Sequence, residues 1–89
     1  MNHNLSANQI EILNLINKGY KYSLDIYKHS KRIFQAGVYV DISILREKGL
    51  VERLSECKRL YNNDKNIIRY VFLLTEKGKE YLDNLNLKE

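Results

Sequence analysis

Proline and tryptophan are absent from the sequence, and cysteine occurs once. Without proline no helix is broken outright, so helix ends must be set by glycine and by capping side chains. A lone Cys57 excludes an intrachain disulfide. No apolar run reaches the length of a membrane span, and no charged-then-apolar leader opens the chain, so a soluble, cytoplasmic protein with no membrane partner is expected. Gly-rich phosphate loops, metal-ligand clusters and nucleophile motifs are also missing. A catalytic pocket is hard to fit in 89 residues. The chain is expected to be no enzyme, and to need no cofactor or metal.

What is present suits one domain, residues 1–89 with a core at about 6–85. Apolar residues make up 44% of the chain, enough for a core. A domain this small buries only ~60% of the surface its unfolded chain exposes, which makes oligomerisation a natural supplement. The net charge is +4 and the pI about 9.2. From Lys18 to Ala36, five basic residues face Asp25 alone, and from Cys57 to Tyr70 the balance is +3. Two basic islands of this kind point to an anionic partner.

Ser6 stands three residues before Gln9, the capping-box pattern, so a first helix is expected from about Ala7 to Lys18, with Gly19 just beyond it. Its apolar residues spread over about 220°, wider than one core-facing stripe needs. One side should meet the core and the other, around Ile12 and Leu15, a partner subunit. Tyr20 to Tyr22 reads as an extended bridge, and Ser23 as the N-cap of a second helix through about Lys31. A third helix follows from about Gly37 to Lys48, closed by Gly49. Val38, Ile42 and Leu45 form its core face, and Val40, Ser43, Ile44 and Glu47 point the opposite way. Leu50 to Leu54 and Asn66 to Leu74 read as strands, with the turn-tolerant Asn62, Asn63 and Asp64 between them. Thr75 caps a last helix, Glu76 to about Leu85. Helix, helix, helix, strand, strand, helix is an α+β, mostly α order. It supplies the parts of a winged helix-turn-helix with a long β-hairpin wing.

Two segments sharpen this reading. Ile42 to Val51, ISILREKGLV, resembles the end of the recognition helix and the entry to the wing in the PadR and MarR families of transcriptional regulators. Arg69 to Gly78, RYVFLLTEKG, resembles their second wing strand and the start of the next helix. LDIYK (Leu24 to Lys28) and GVYVDISIL (Gly37 to Leu45) resemble the second and third helices of PadR proteins. The resemblance spans about Ser6 to Leu85 and is to a short form, without the long C-terminal region by which PadR proteins dimerise. It implies a double-stranded-DNA-binding regulator with the third helix in the major groove and the wing on flanking DNA. A repressor acting as a homodimer on a pseudo-palindromic site is expected.

The candidate residues follow. Lys28, Lys31 and Arg32, at the end of the second helix, are candidates for phosphate contacts, against a bland reading as cations that complement the helix dipole. Tyr22 and Ser23 begin that helix and could offer N–H groups to a phosphate. On the wing, Lys58, Arg59, Asn62, Asn63 and Lys65 are the DNA candidates, while Arg69 is expected to pair with Glu52 or Glu56. In and before the third helix, Gln35 is the best polar base reader. Val40 could touch thymine methyls, and the backbone of Ala36 and Gly37 could approach closely. Ile44 shares the exposed face, with Asp41 and Arg46 at its edges. Tyr39 is expected in the core with its hydroxyl at the rim. The dimer would use Ile12, Leu15, Tyr81, Leu85 and Leu87. In the alternative reading, Val40 and Ile44 bind protein and the chain is an interaction or architectural module in a replication, partition or conjugation assembly. Cys57, beside Lys58 and Arg59, is expected to be a bystander rather than a redox switch.

Overall fold

The first helix starts at a completed capping box: the Gln9 N–H donates to Ser6 Oγ at 3.2 Å, and the Ser6 N–H donates to Gln9 Oε1 at 3.1 Å. In the computed structural model, which describes residues 5–32, 34–59 and 66–87, six elements follow one another. They are α1 (Ala7–Asn17), α2 (Ser23–His29), α3 (Gln35–Glu47), β1 (Val51–Arg59), β2 (Asn66–Leu74) and α4 (Glu76–Leu87). The order is the one expected, mostly helical with one antiparallel hairpin.

Helices α1 and α3 end in the same way. Gly19, at φ 111°, follows α1, and the N–H groups of Gly19 and Tyr20 return to the carbonyls of Ile16 and Leu15. Gly49, at φ 77°, follows α3, and the N–H groups of Gly49 and Leu50 return to Arg46 and Leu45. Both are Schellman closures, in which a left-handed residue lets the chain satisfy two orphan carbonyls as it turns away. After the second closure, Leu50 drops into the core with no solvent exposure.

Helix α2 is shorter than expected and stops at His29. The Ser30 hydroxyl donates to the Tyr27 carbonyl at 2.9 Å and accepts from the Arg32 N–H at 3.3 Å. A side chain that bonds the local backbone in this way competes with further helical turns. Helix α3 begins at Gln35, so Gly37 lies in its first turn rather than at its start.

The core brings together Ile12, Leu13, Ile26, Val38, Leu45 and Leu50, all fully buried. Helix α1 is at its centre, packed against α2, α3, α4 and β2. This corrects the expected partner surface: Ile12 and Leu15 are both buried inside the single chain. The wide apolar arc of α1 is used up by neighbours on several sides. Tyr81 and Leu85 on α4 are half-buried, Tyr81 against the core. The Leu87 side chain lies outside the described residues.

The hairpin pairs Val51 with Leu74 and continues in register to Arg59 with Asn66. Strand β1 thus runs well past Leu54, where the sequence pattern suggested it would end. At its base, Thr75 ties the two ends of the hairpin to α3 and α4. Its hydroxyl donates to the Gly49 carbonyl at 2.6 Å and accepts from the Gly78 N–H at 3.0 Å, while its own N–H donates to the Leu50 carbonyl at 3.1 Å. Gly78 is buried against that Leu50 carbonyl, and a Cβ there would overlap it.

Two effects oppose each other in a Gly78→Ala substitution. Alanine gains about 1 kcal/mol of helix propensity, whereas overpacking typically costs about 1–3 kcal/mol. The obstructing atom is backbone and cannot rotate aside, so the clash should win. Urea unfolding is expected to show Gly78→Ala less stable than the parent by up to about 2 kcal/mol; a more stable variant would contradict the close approach.

Candidate nucleic-acid interface

Helix α3 presents three sides to its surroundings. At 100° per residue, Ala36, Val40, Ser43 and Glu47 fall within about 60° of one another. All four are exposed, Val40 at 57%. Ile44, beside them, is half-buried. Tyr39, Arg46 and Gln35 lie on one flank of this face, toward the hairpin; Gly37 and Asp41 lie on the other, toward α1.

On the α1 flank, two expected DNA contacts are turned inward. The Arg32 Nη1 lies 2.6 Å from Asp41 Oδ2, and Asp41 is only 8% exposed. The Gln9 amide donates to the other Asp41 oxygen at 3.4 Å, so the residue that caps α1 also holds α3. Asp41 follows Val40 by 100° around the helix, which carries it off the outward face. The Arg32 guanidinium lies across Gly37, where a Cβ would overlap it. Arg32 and Asp41 therefore form an internal brace that passes over the half-buried Gly37.

On the hairpin flank lies a cleft of about 260 Å³. Ile42 and Phe72 contribute its apolar side, Ser23, Tyr39, Ser43 and Arg46 line it from the helices, and Arg53 and Tyr70 from the wing. The Arg53 guanidinium stacks over the Tyr70 ring at 4.3 Å from its centroid. Alternation along paired strands puts Arg53, Tyr70 and Phe72 on one hairpin face. Phe72 reaches the core, while Tyr70, two residues further out, remains 48% exposed. Among the described residues neither Arg46 nor Arg53 has a carboxylate partner. Tyr39 is not in the core as expected; it is 44% exposed. Its hydroxyl oxygen accepts from Gln35 Nε2 at 2.7 Å and from Ser23 Oγ at 3.5 Å. Its own proton is then left for an acceptor in the cleft. Two guanidinium groups and a poised phenol beside an apolar side suit a phosphodiester with its sugar.

On the opposite hairpin face, Tyr22 clamps the wing to the start of α2. Its hydroxyl donates to both oxygens of Glu56 at 3.0 and 3.2 Å, and Arg69, cross-strand from Glu56, stacks on its ring at 4.2 Å. The preceding Lys21 carbonyl accepts from the Phe72 N–H at 2.8 Å, so the Tyr20–Tyr22 bridge adds one rung to the edge of β2. The Tyr22 phenol is thus engaged within the protein rather than presented to DNA. Arg69 meets Tyr22 instead of forming an ion pair with Glu52 or Glu56.

The structure thus gathers Ser23 and Gln35 around Tyr39 at the mouth of the cleft. It leaves Lys28 and Lys31 exposed at the end of α2, with the Lys31 N–H donated to Glu11 at 3.0 Å. Asn62, Asn63 and Lys65, and the side chains of Lys58 and Arg59, lie outside the described residues. Arg53 and Tyr70 were missed by sequence reasoning, and Arg46 was placed only at an edge. The helical spacing of Tyr39, Ser43 and Arg46 carried a signal for the helix side; only the register could have added Arg53 and Tyr70.

No protein-family model and no curated protein matches the sequence. Among solved structures, the chain is similar to the crystal structure of a PadR family transcription regulator from hypervirulent Clostridium difficile R20291. The identity is 18% and the TM-score 0.75, over 93% of this chain and 86% of that one. The chain has the winged-helix fold of that protein, in the same order of four helices and a two-stranded antiparallel wing.

The clamp has a pH signature. The hydrogen bond to Glu56 raises the Tyr22 pKa above the usual tyrosine value, with burial and the Glu56 charge acting the same way and Arg69 opposing. An acid whose folded pKa is raised gives stability that is present below its unfolded pKa and lost as pH rises through the folded value. The clamp should therefore hold below about pH 10 and fail above it. In a spectrophotometric titration Tyr22→Phe is expected to remove a component that ionises above the usual tyrosine value. A late component that persists in Tyr22→Phe would contradict the assignment.

Proposed function

We propose that this protein is a transcription regulator that binds double-stranded DNA, with α3 in the major groove and the hairpin on the flanking backbone. The observation that carries the reading is the cleft between α3 and the wing, where Arg46 and Arg53 stand without carboxylate partners among the described residues, beside the Tyr39 hydroxyl. A single duplex strand passing between a groove-bound helix and a wing would put its phosphates there. Lys28 and Lys31 add positive charge at the end of α2. The fold shared with a PadR family transcription regulator supports the same class of activity.

The finer parts of the proposal are action as a repressor in the cytoplasm and a homodimer on a pseudo-palindromic site. Among the described residues no helix is long and apolar enough to cross a membrane. With the apolar face of α1 consumed, the remaining expected dimer contacts are all on α4, where Leu85 is half-buried. Light scattering at twice 10.6 kDa would support the dimer, and a mass of 10.6 kDa at high concentration would remove it. A promoter-reporter assay in which the protein lowers expression tests repression; raised expression would contradict it.

The test of DNA binding is its salt dependence. A dimer touching about six phosphates should lose affinity with a log–log slope near −5. Arg46→Ala and Arg53→Ala should each weaken binding across sequences and make the slope shallower by about 1 for each phosphate left without its cation. A flat salt dependence, or no binding at micromolar protein, would overturn the reading. The competing reading, a protein-binding module, gains from the exposed apolar residues on and beside α3; it predicts a partner complex with no dependence on Arg46 or Arg53.

A further inference from the structure

The first two turns of the outward face of α3, at Ala36 and Val40, are apolar where a base-reading helix would be expected to carry bidentate donors. Phe34, immediately before the helix, is 75% exposed, more than any other large apolar side chain among the described residues. Val40 is 57% exposed, and Ala36 is exposed on the same outward face of the helix. No arginine, lysine or asparagine stands on that face, and the Gln35 amide nitrogen is already committed to Tyr39. The fold makes no use of this surface, since the core is filled from the opposite side by Val38, Ile42 and Leu45.

The surroundings restrict what can cover it. Lys28 and Lys31 lie at the end of α2, and Arg46 and Arg53 in the cleft beyond Tyr39. Asp41, the nearest carboxylate in α3 to Phe34 and Val40, is neutralised by Arg32 and turned inward. Glu47 stands at the far end of the helix. The occupant is therefore polyanionic at the rim and apolar at the centre. The major groove of duplex DNA meets that description where thymine C5-methyl groups project into it, because thymine is the base that offers apolar contact there.

We propose that Phe34 and Val40 select thymine by packing on its 5-methyl group, so that the base code is read chiefly through apolar contact. The proposal rests on the DNA-binding reading above and adds its base specificity. Phe34 precedes α3 in extended backbone and Val40 lies in its second turn, so each side chain is expected to meet a different thymine.

The probes are a short alternating dA–dT duplex and the same duplex with deoxyuridine in place of every thymidine. The pair differs only in the methyl group, with phosphates and hydrogen-bonding edges unchanged. Each methyl removed from water is worth roughly fourfold, so two contacts should favour the thymine duplex by about fifteenfold in fluorescence anisotropy. The Phe34→Ala, Val40→Ala double variant should bind both duplexes at the level of the uracil one, with an unchanged circular-dichroism melting curve because both sites are exposed. Equal binding of the two duplexes by the parent protein would overturn thymine selection while leaving DNA binding standing. Failure to bind either duplex at low salt would overturn both. Should Phe34→Asp with Val40→Asp leave affinity for the thymine duplex intact, the patch belongs to a protein partner and the proposal fails.

Discussion

The hydroxyl of Thr75 reaches across the base of the hairpin to the carbonyl of Gly49, 2.6 Å away, and the geometry of the proposed DNA face depends on that junction. Four elements meet there. Helix α3 ends at Gly49, β1 begins after Leu50, β2 ends before Thr75, and α4 begins after it. The Thr75 N–H holds the Leu50 carbonyl, Leu50 is sealed in the core, and Gly78 lets α4 close on the same carbonyl. Since α3 and the wing leave this point together, the angle between them is set by short backbone contacts rather than by long side chains. The cleft holding Arg46 and Arg53 is the space between the two arms.

Two further devices stiffen the arms. The brace of Gln9, Arg32 and Asp41 ties the turn before α3 to both α1 and α3. The Tyr22 clamp ties the wing to the start of α2 through Glu56 and Arg69. Charged groups on the α1 flank and the back of the wing are thereby spent on positioning. What is left over for a ligand is the charge in the cleft and at the end of α2, with an apolar edge between. Much of the work of binding an anion is done in advance when its contacts are held in place.

The parts of this arrangement legible in the sequence are the local ones. A capping box and a glycine after a helix act within a few residues, so Ser6, Gln9, Gly19 and Gly49 announce themselves without tertiary information. The core face of α3 was equally plain from Val38, Ile42 and Leu45. What misled was anything that depends on how many neighbours surround an element. The wide apolar arc of α1 looked like a surplus because one helix cannot reveal that four elements surround it. Arg32 looked like a phosphate contact because Asp41, nine positions away, lies beyond the range of helical pairing rules. Arg53 and Tyr70 carry no signal until the register places them on one face. The role of Gly78 also needed the fold, since its spacing from Thr75 says nothing about the Leu50 carbonyl it approaches.

If a duplex lies across α3 and the inner face of the wing, amide chemical-shift mapping of the labelled protein against a short dA–dT duplex should show it. The largest changes are expected along Phe34, Tyr39, Val40 and Ser43 on the helix side and at Arg53 and Tyr70 on the wing. Little change is expected at Ile12 and Leu15, which are sealed in the core. Shifts confined to α1 and α4, with the cleft residues unmoved, would place the duplex elsewhere and rule this interface out.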